Sequence, residues 1–274
     1  MIEFNEFSFR YREGVEPVVR DITLAIPDGC FVGITGAAGS GKSTLTYAIN
    51  GIIPHCYPGD FYGSVTVEGL DTVDTSLTDL SRLVGSVCQD IDSQMVSTVV
   101  EDEILYGLEN FAVPREEIPA RVDEALDAMG IADLRDCTID SLSGGQKQKV
   151  AVASVLALHP KVLVLDEPTA ELDPASSVTV FDLLSRYARE HGTTVVVVEQ
   201  KIALLSDYAD MLVIVGRGPH PLRRCAGRGA GPLRGAAGAR CERAALDDAY
   251  ERAFRPGSVR RSHGCDTLAG PRRR

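Results

Sequence analysis

The stretch FVGITGAAGSGKST, residues 31–44, joins an apolar strand pattern to a glycine-rich turn and then to a helix pattern. Glycines let such a turn wrap tightly and aim its N–H groups at phosphate oxygens. Lys42 would reach the terminal phosphates and Ser43 would ligate Mg²⁺. The strand before it and the helix after it disfavour the alternative of a glycine-rich turn without a ligand. The predicted phosphate-binding residues are Gly36, Gly39, Ser40, Gly41, Lys42, Ser43 and Thr44.

Two acids follow a second apolar stretch, LVLDEP, residues 163–168. A strand ending in acids delivers carboxylates to the carboxyl edge of an open α/β sheet, where ligands bind. We predict that Asp166 holds Mg²⁺, usually through water, and that Glu167 accepts a proton from an attacking water. Acids at a strand end are often only solvated turn residues. The phosphate loop upstream favours the catalytic interpretation.

Short apolar runs alternate with helical patterns on both sides of these motifs, which predicts a doubly wound α/β fold of the P-loop NTPase kind. Residues 1–216 form the predicted domain, with an α/β core at 1–89 and 160–216 and an inserted helical subdomain at about 90–159. The N-terminal runs IEFNEFSF and VVRDITLAI predict antiparallel strands. Strands of the mostly parallel sheet are predicted at 30–36, 64–69, 83–89, 161–167, 193–199 and 211–216, and helices at 42–51, 115–129, 144–158 and 175–190.

The composition limits the class of protein. The chain of 274 residues carries a net charge of −11, and residues 1–216 hold 34 acids against 14 Lys and Arg. Because a phosphate backbone demands clustered positive charge, we expect no nucleic-acid partner. MIEFNEFSF lacks the basic start of a secretory signal, and no apolar run reaches membrane-spanning length. Seven cysteines without a CxxC pair indicate reduced thiols rather than disulfides or zinc.

Residues 217–274 differ in character, with fourteen Arg and no Lys. Three interpretations stay open: a functional basic tail, a tail without packed structure, and a shifted reading frame in GC-rich DNA, which yields Arg, Gly, Ala and Pro. We favour the third, which translating the other frames would test.

LSGGQKQKVAVASVLA, residues 142–157, lies between the two nucleotide motifs. In that order, the three resemble the signature of ABC ATPases across about residues 1–216. The resemblance implies two such ATPases, identical or different, that dimerise head to tail with ATP between one phosphate loop and the partner's LSGGQ. Unpaired N–H groups at the start of a helix, together with the helix dipole, would favour binding of the γ-phosphate there. A helix cap alone would also explain Ser-Gly-Gly. The implied contact residues are Ser143, Gly144, Gly145 and Gln146.

Further positions match the family one by one. Tyr11 resembles the aromatic that stacks on adenine, although a core aromatic is the alternative. Gln89 resembles the glutamine that touches Mg²⁺ and the attacking water. AELD, residues 170–173, resembles the loop that crosses the dimer interface, with Asp173 as its acid.

Residues 89–110 resemble the energy-coupling-factor (ECF) group, with Gln94 as the second glutamine and a matching run at 100–110. Ile91 and Asp92 stand where that group usually has a proline. The group's members import vitamins or transition-metal ions. The resemblance therefore implies a transmembrane coupling subunit, a substrate-binding membrane protein and a peripheral position at the cytoplasmic face of the membrane.

Gln200 stands where the family normally has a histidine that contacts the γ-phosphate. Since glutamine donates a hydrogen bond but carries neither proton nor charge, we expect slower hydrolysis at this site. Two alternatives to a transport ATPase remain: a soluble ABC protein acting on ribosomes or DNA, and a weakly hydrolysing partner in an unequal pair or tandem.

Overall fold

The computed structural model describes residues 1–216 and the backbone of residues 222–226. Its strands are β1 Ile2–Tyr11, β2 Val19–Ile26, β3 Phe31–Gly36, β4 Gly59–Val67, β5 Leu70–Asp71, β6 Val84–Val87, β7 Val162–Asp166, β8 Thr194–Val198, β9 Met211–Val215 and β10 Leu222–Ala226. Its helices are α1 Lys42–Ile49, α2 Ile52–His55, α3 Leu77–Ser81, α4 Val100–Asn110, α5 Ile118–Met129, α6 Gly144–Leu156, α7 Pro174–His191 and α8 Ile202–Tyr208.

The fold is the predicted α/β class, with parallel strands, flanking helices and antiparallel N-terminal strands. It divides into two units. The first contains Met1–Asp28, Val32–Leu80 and the chain from Gln200 onward, and the second contains Gly29–Phe31 and Ser81–Glu199.

An antiparallel sheet of order β2-β1-β4-β5 lies in the first unit. Phenylalanines of β1 and β4 fill its core, and the rings of Phe7 and Phe61 lie 5.0 Å apart. The prediction that residues 64–69 belong to the parallel sheet is wrong, because they lie largely in β4, which pairs antiparallel with β1. Alternate residues of β4 are buried, as in a sheet covered on one face only.

The first unit contains the parallel strands β3 and β9. The phosphate loop follows the carboxyl end of β3. β10 adds antiparallel to β9. The rest of the predicted tail, apart from the backbone of residues 222–226, lies outside the described residues.

The second unit holds the parallel order β8-β7-β6, whose strands are almost wholly buried. α4 and α5 both pack on α6. The helix predicted at 175–190 is confirmed as α7, and the carboxylate of Asp173 accepts hydrogen bonds from the N–H groups of Ala175 and Ser176 at its start. No helix within the described residues has the length and apolarity that a bilayer crossing requires.

Candidate functional site

The phosphate loop has a backbone shape that only glycine permits at its first position. Gly36 has a φ of 153°, and a Cβ there would lie 2.2 Å from the carbonyl oxygen of Val215 and 2.9 Å from Oγ of Ser40. Gly41, with a φ of 97°, precedes α1 and leaves the N–H groups of its first turn without partners inside the helix. The start of α1 therefore presents backbone N–H groups that an anion can bind.

Lys42 and Ser40 have polar atoms that fit an anionic ligand. Lys42 is 7% exposed, and its Nζ donates to the carbonyl oxygens of Gly36 at 3.0 Å and Ala37 at 3.1 Å. No ion pair among residues 1–216 includes it. Oγ of Ser40 is buried without a hydrogen-bond partner. A buried ammonium group without an ion pair and a buried hydroxyl without a hydrogen-bond partner are both costly, so both fit a loop built to receive phosphate oxygens.

Tyr11 is tied to the helix that follows the phosphate loop. Its hydroxyl lies 3.2 Å from Oγ1 of Thr44, in the first turn of α1. Burial raises the pKa of Tyr11, so the phenol stays neutral near pH 7. The ring of Phe9 meets the ring of Tyr11 edge-on, with centroids 4.8 Å apart. The predicted adenine-stacking residue is thus held close to the phosphate loop.

In the second unit, the fold brings two predicted catalytic residues together. Glu167 follows β7 with a φ of 50°, a rare conformation for a residue with a side chain. Its N–H donates to the carbonyl oxygen of Val198 at 2.9 Å, which fixes the turn against β8. Nε2 of Gln89 lies 3.4 Å from Oε2 of Glu167. The acid and the glutamine are therefore within reach of one water molecule.

A buried hydrogen bond that the sequence analysis did not anticipate anchors the same turn. Oγ1 of Thr169 donates a hydrogen bond to Oε2 of Glu199. Thr169 is fully buried and Glu199 is 2% exposed. The detectable sign in the sequence was an acid that directly follows the apolar strand TTVVVV.

A cavity of about 170 Å³ lies beside Gln89 and Glu167. Gly144, at the start of α6, also lines it, and so does Gln148, which is 4% exposed and whose Nε2 has no hydrogen-bond partner. At its wall, Nζ of Lys147 lies 2.7 Å from Oδ1 of Asp92. The cavity thus lies beside Gln89, the predicted catalytic acid Glu167 and the first turn of α6, all within one unit.

Residues 19–170 match the ABC transporter family. The chain belongs to this family of ATP-binding proteins. A protein of Streptomyces avermitilis with the provisional name of ABC transporter ATP-binding protein is 43% identical over 222 residues, which cover 81% of this chain and 40% of the relative. A Pyrococcus horikoshii protein with the same kind of name is 42% identical over 218 residues, 80% of this chain and 77% of the relative. The chain spans about two fifths of the Streptomyces and Methanosarcina relatives it matches.

Solved structures of the family agree with the fold. CbiO1 from Clostridium perfringens, part of the ABC transporter complex CbiONQ, is 34% identical with a TM-score of 0.71, covering 78% of this chain and 83% of that chain. The ATP-binding cassette MJ0796, a dimer bound to ADP and Pi, is 26% identical with a TM-score of 0.68, covering 84% of this chain and all of that chain.

Three residues of the ABC motifs also form helix caps within the fold. Ser143 and Gln146 form a capping box: Oγ of Ser143 accepts from the N–H of Gln146, and the N–H of Ser143 donates to Oε1 of Gln146. Asp173 accepts from the hydroxyl and the N–H of Ser176, which lowers the pKa of its carboxyl. The helix-cap alternative for the signature serine is therefore present in the structure, and a cap does not exclude ligand binding by exposed Gly144 and its neighbour Gly145.

The predicted site residues are divided between the two units. The first unit holds Tyr11, the phosphate loop with Ser43 and Thr44, and exposed Gln200 just before α8. The second unit holds Gln89, Asp166 at the end of β7, Glu167, the signature residues and Asp173.

Proposed function

We propose that the chain binds ATP with Mg²⁺ and hydrolyses it as the ATPase subunit of a membrane importer. The observation that carries this proposal is the pairing of Gln89 with Glu167 at 3.4 Å, on a turn fixed by Val198 and Thr169. A carboxylate held beside a glutamine amide can accept a proton from a water that the amide orients. Membership of the ABC transporter family supports this assignment.

The phosphate loop would hold the nucleotide through Lys42 and the N–H groups at the start of α1. Tyr11 would stack on the adenine. A bound Mg²⁺ would neutralise charge on the phosphate oxygens. Its ligands in this proposal are the hydroxyl of Ser43, the carboxylate of Asp166 through water and the side-chain oxygen of Gln89, which are the oxygen donors that Mg²⁺ prefers.

We further propose that two ATPase subunits, identical or different, share the nucleotide. The first turn of α6 from one subunit would meet the γ-phosphate bound by the other, with Ser143, Gly144, Gly145 and Gln146 as its contacts and Asp173 at the interface. Exposure of Ser143 and Gly144 supports this role, because a second chain can reach them. MJ0796, which resembles this chain, forms a dimer in a post-hydrolysis state.

The cargo class in this proposal is a vitamin or a transition-metal ion, imported by an ECF-type complex. Likeness to CbiO1, a part of the CbiONQ transporter complex, supports the subtype. The partners would be a transmembrane coupling subunit and a substrate-binding membrane protein, with residues 1–216 as a peripheral ATPase domain at the cytoplasmic face. The acidic composition of those residues favours these partners over nucleic acid.

A second candidate is favoured by Gln200: a weakly hydrolysing member of an unequal ATPase pair. An amide at the position of the family's usual histidine can donate a hydrogen bond but cannot carry a proton. The Streptomyces relatives, of which this chain matches about two fifths, leave room for a second ATPase domain in those proteins.

The test compares wild type with Glu167→Gln, each purified with its membrane partners. We expect Glu167→Gln to bind ATP in a Mg²⁺-dependent way while phosphate release falls about 100-fold or more, as for loss of a general base. Glu190→Gln, an exposed glutamate near the end of α7, is the matched control. Absence of Mg²⁺-dependent ATP binding in wild type would refute the proposal. Co-sedimentation with ribosomes in place of membrane proteins would refute the transport role alone.

A further inference from the structure

An exposed tyrosine ring lies against Tyr11. Tyr57, which follows α2, is 48% exposed, and its ring centroid lies 6.3 Å from that of Tyr11 with an interplanar angle of 71°. Tyr47 of α1 supports it from another side, with centroids 5.7 Å apart and an angle of 30°. Three tyrosines thus form a continuous aromatic surface beside the helix that begins at the phosphate loop.

The backbone holds Tyr57 in this position. Its N–H donates to the carbonyl oxygen of Ile52 at 3.2 Å, and the N–H of Arg12 donates to the carbonyl oxygen of Pro58 at 3.3 Å. Proline also restricts the backbone of the residue before it. Gly59, two residues after Tyr57, pairs directly with Tyr11 in the sheet. This pairing holds Tyr57 close to the strand that carries Tyr11. Its exposed ring is therefore prepositioned.

The rings of Phe9 and Tyr57 both contact the ring of Tyr11, and that of Tyr57 is the exposed one. Phe9, which meets Tyr11 edge-on, is fully buried, and the Tyr11 hydroxyl is engaged by Thr44. Two rings inclined at 71° form a corner. A planar heterocycle fits such a corner by stacking on one ring and meeting the other edge to face, the two arrangements that aromatic quadrupoles favour.

We propose that Tyr57 is a second aromatic wall of the base-binding site whose first wall is Tyr11, and that its ligand is the purine ring of ATP. This inference rests on the proposed ATP-binding function. Tyr57 contributes to affinity for the base and leaves binding of the phosphates to the loop at 36–44.

The experiment measures the affinities of the full-length chain for ATP and for inorganic tripolyphosphate, each with Mg²⁺, by calorimetry. Tyr57→Ala weakens ATP binding about 3- to 10-fold, as loss of one aromatic contact predicts. It leaves tripolyphosphate affinity within about twofold, which also reports an intact phosphate loop. Tyr57→Phe retains ATP affinity, because the ring and not the hydroxyl makes the contact. Tyr106→Ala, an equally exposed tyrosine on α4, controls for loss of a surface aromatic.

The outcomes separate this inference from the function on which it rests. If Tyr57→Ala binds ATP as wild type does while Tyr11→Ala binds it more weakly, Tyr57 is no part of the site and the ATP-binding function stands. If Tyr57→Ala weakens ATP and tripolyphosphate equally, the effect passes through the loop and the inference fails. If wild type binds tripolyphosphate but gains nothing from the base, the inference fails together with base recognition by Tyr11.

Discussion

Removal of the Thr169 hydroxyl tests whether a buried hydrogen bond supports the turn that carries Glu167. Thr169→Val keeps the size and β-branching of the side chain and deletes the donor to Glu199. Both residues are at most 2% exposed, so no water replaces the lost bond without rearrangement. The substitution therefore leaves a buried carboxylate with one donor fewer.

The magnitude follows from that geometry. A hydrogen bond to a charged group contributes about 1.5–3 kcal/mol, and we expect the free energy of unfolding to fall by that amount. Domains of about 150–250 residues lose roughly 2–4 °C of Tm per kcal/mol, which gives a decrease between about 3 and 12 °C. Phosphate release should fall as well, because the turn that presents Glu167 loses its anchor.

Urea unfolding followed by circular dichroism measures the change, with Thr72→Val as the matched control. Thr72 is also fully buried, but its Oγ1 has no hydrogen-bond partner. Its replacement by valine removes an unsatisfied hydroxyl and should be neutral or stabilising. If Thr169→Val and Thr72→Val change the free energy of unfolding equally, the Thr169–Glu199 bond does not stabilise the turn and the reasoning is refuted.

Two further predictions concern Gly36 in the phosphate loop and Gln200, which follows β8. Gly36→Ala should destabilise the chain by roughly 1–3 kcal/mol more than Gly69→Ala, because both have positive φ but only the first Cβ meets a carbonyl oxygen, that of Val215 at 2.2 Å. Equal losses in urea unfolding would contradict the steric argument. Gln200→His should raise the rate of phosphate release with the native partners present, since imidazole can carry a proton. Gln200→Asn is its control, and an unchanged or slower rate for the histidine variant would count against it.

The parts of the fold that a short sequence pattern determines were predictable. Buried parallel strands read as continuous apolar runs, and β3, β7, β8 and β9 lie where those runs are. The prediction for 64–69 is wrong because the alternation of buried residues in β4 belongs to a strand covered on one face, which is short and apolar enough to resemble a strand buried on both. The sequence of α4 stands out only through its family pattern. The acidic residues of its first turn obscure the helical spacing of Val100, Ile104 and Leu108, which form its buried apolar face.

Side-chain pairs distant in sequence were not predictable in the same way. The motifs predict roles for Gln89 and Glu167 separately. No sequence spacing predicts that Nε2 of one and Oε2 of the other, 78 positions apart in the chain, lie 3.4 Å from each other. The bond between Thr169 and Glu199 depends on the register of β7 against β8, in which Asp166 pairs with Val198. Register is a property of packing rather than of local pattern. The corner formed by Tyr11 and Tyr57 has the same origin, in the pairing of β1 with β4.

The polar residues of the nucleotide motifs are not equal evidence for a ligand. Side chains that already form hydrogen bonds within the fold are weaker evidence than buried polar atoms without a hydrogen-bond partner. Ser143 and Asp173 cap helices, so stability alone would select their side chains. Ser40 Oγ and Gln148 Nε2 are buried polar atoms without partners, and such atoms are a cost to folding. Thr72 carries a similar cost outside the nucleotide motifs, so the argument depends on the position of Ser40 in the phosphate loop, where a bound phosphate would offset the cost. The unpartnered serine in the phosphate loop is therefore stronger structural evidence for a ligand than the conspicuous Ser-Gly-Gly at the start of α6.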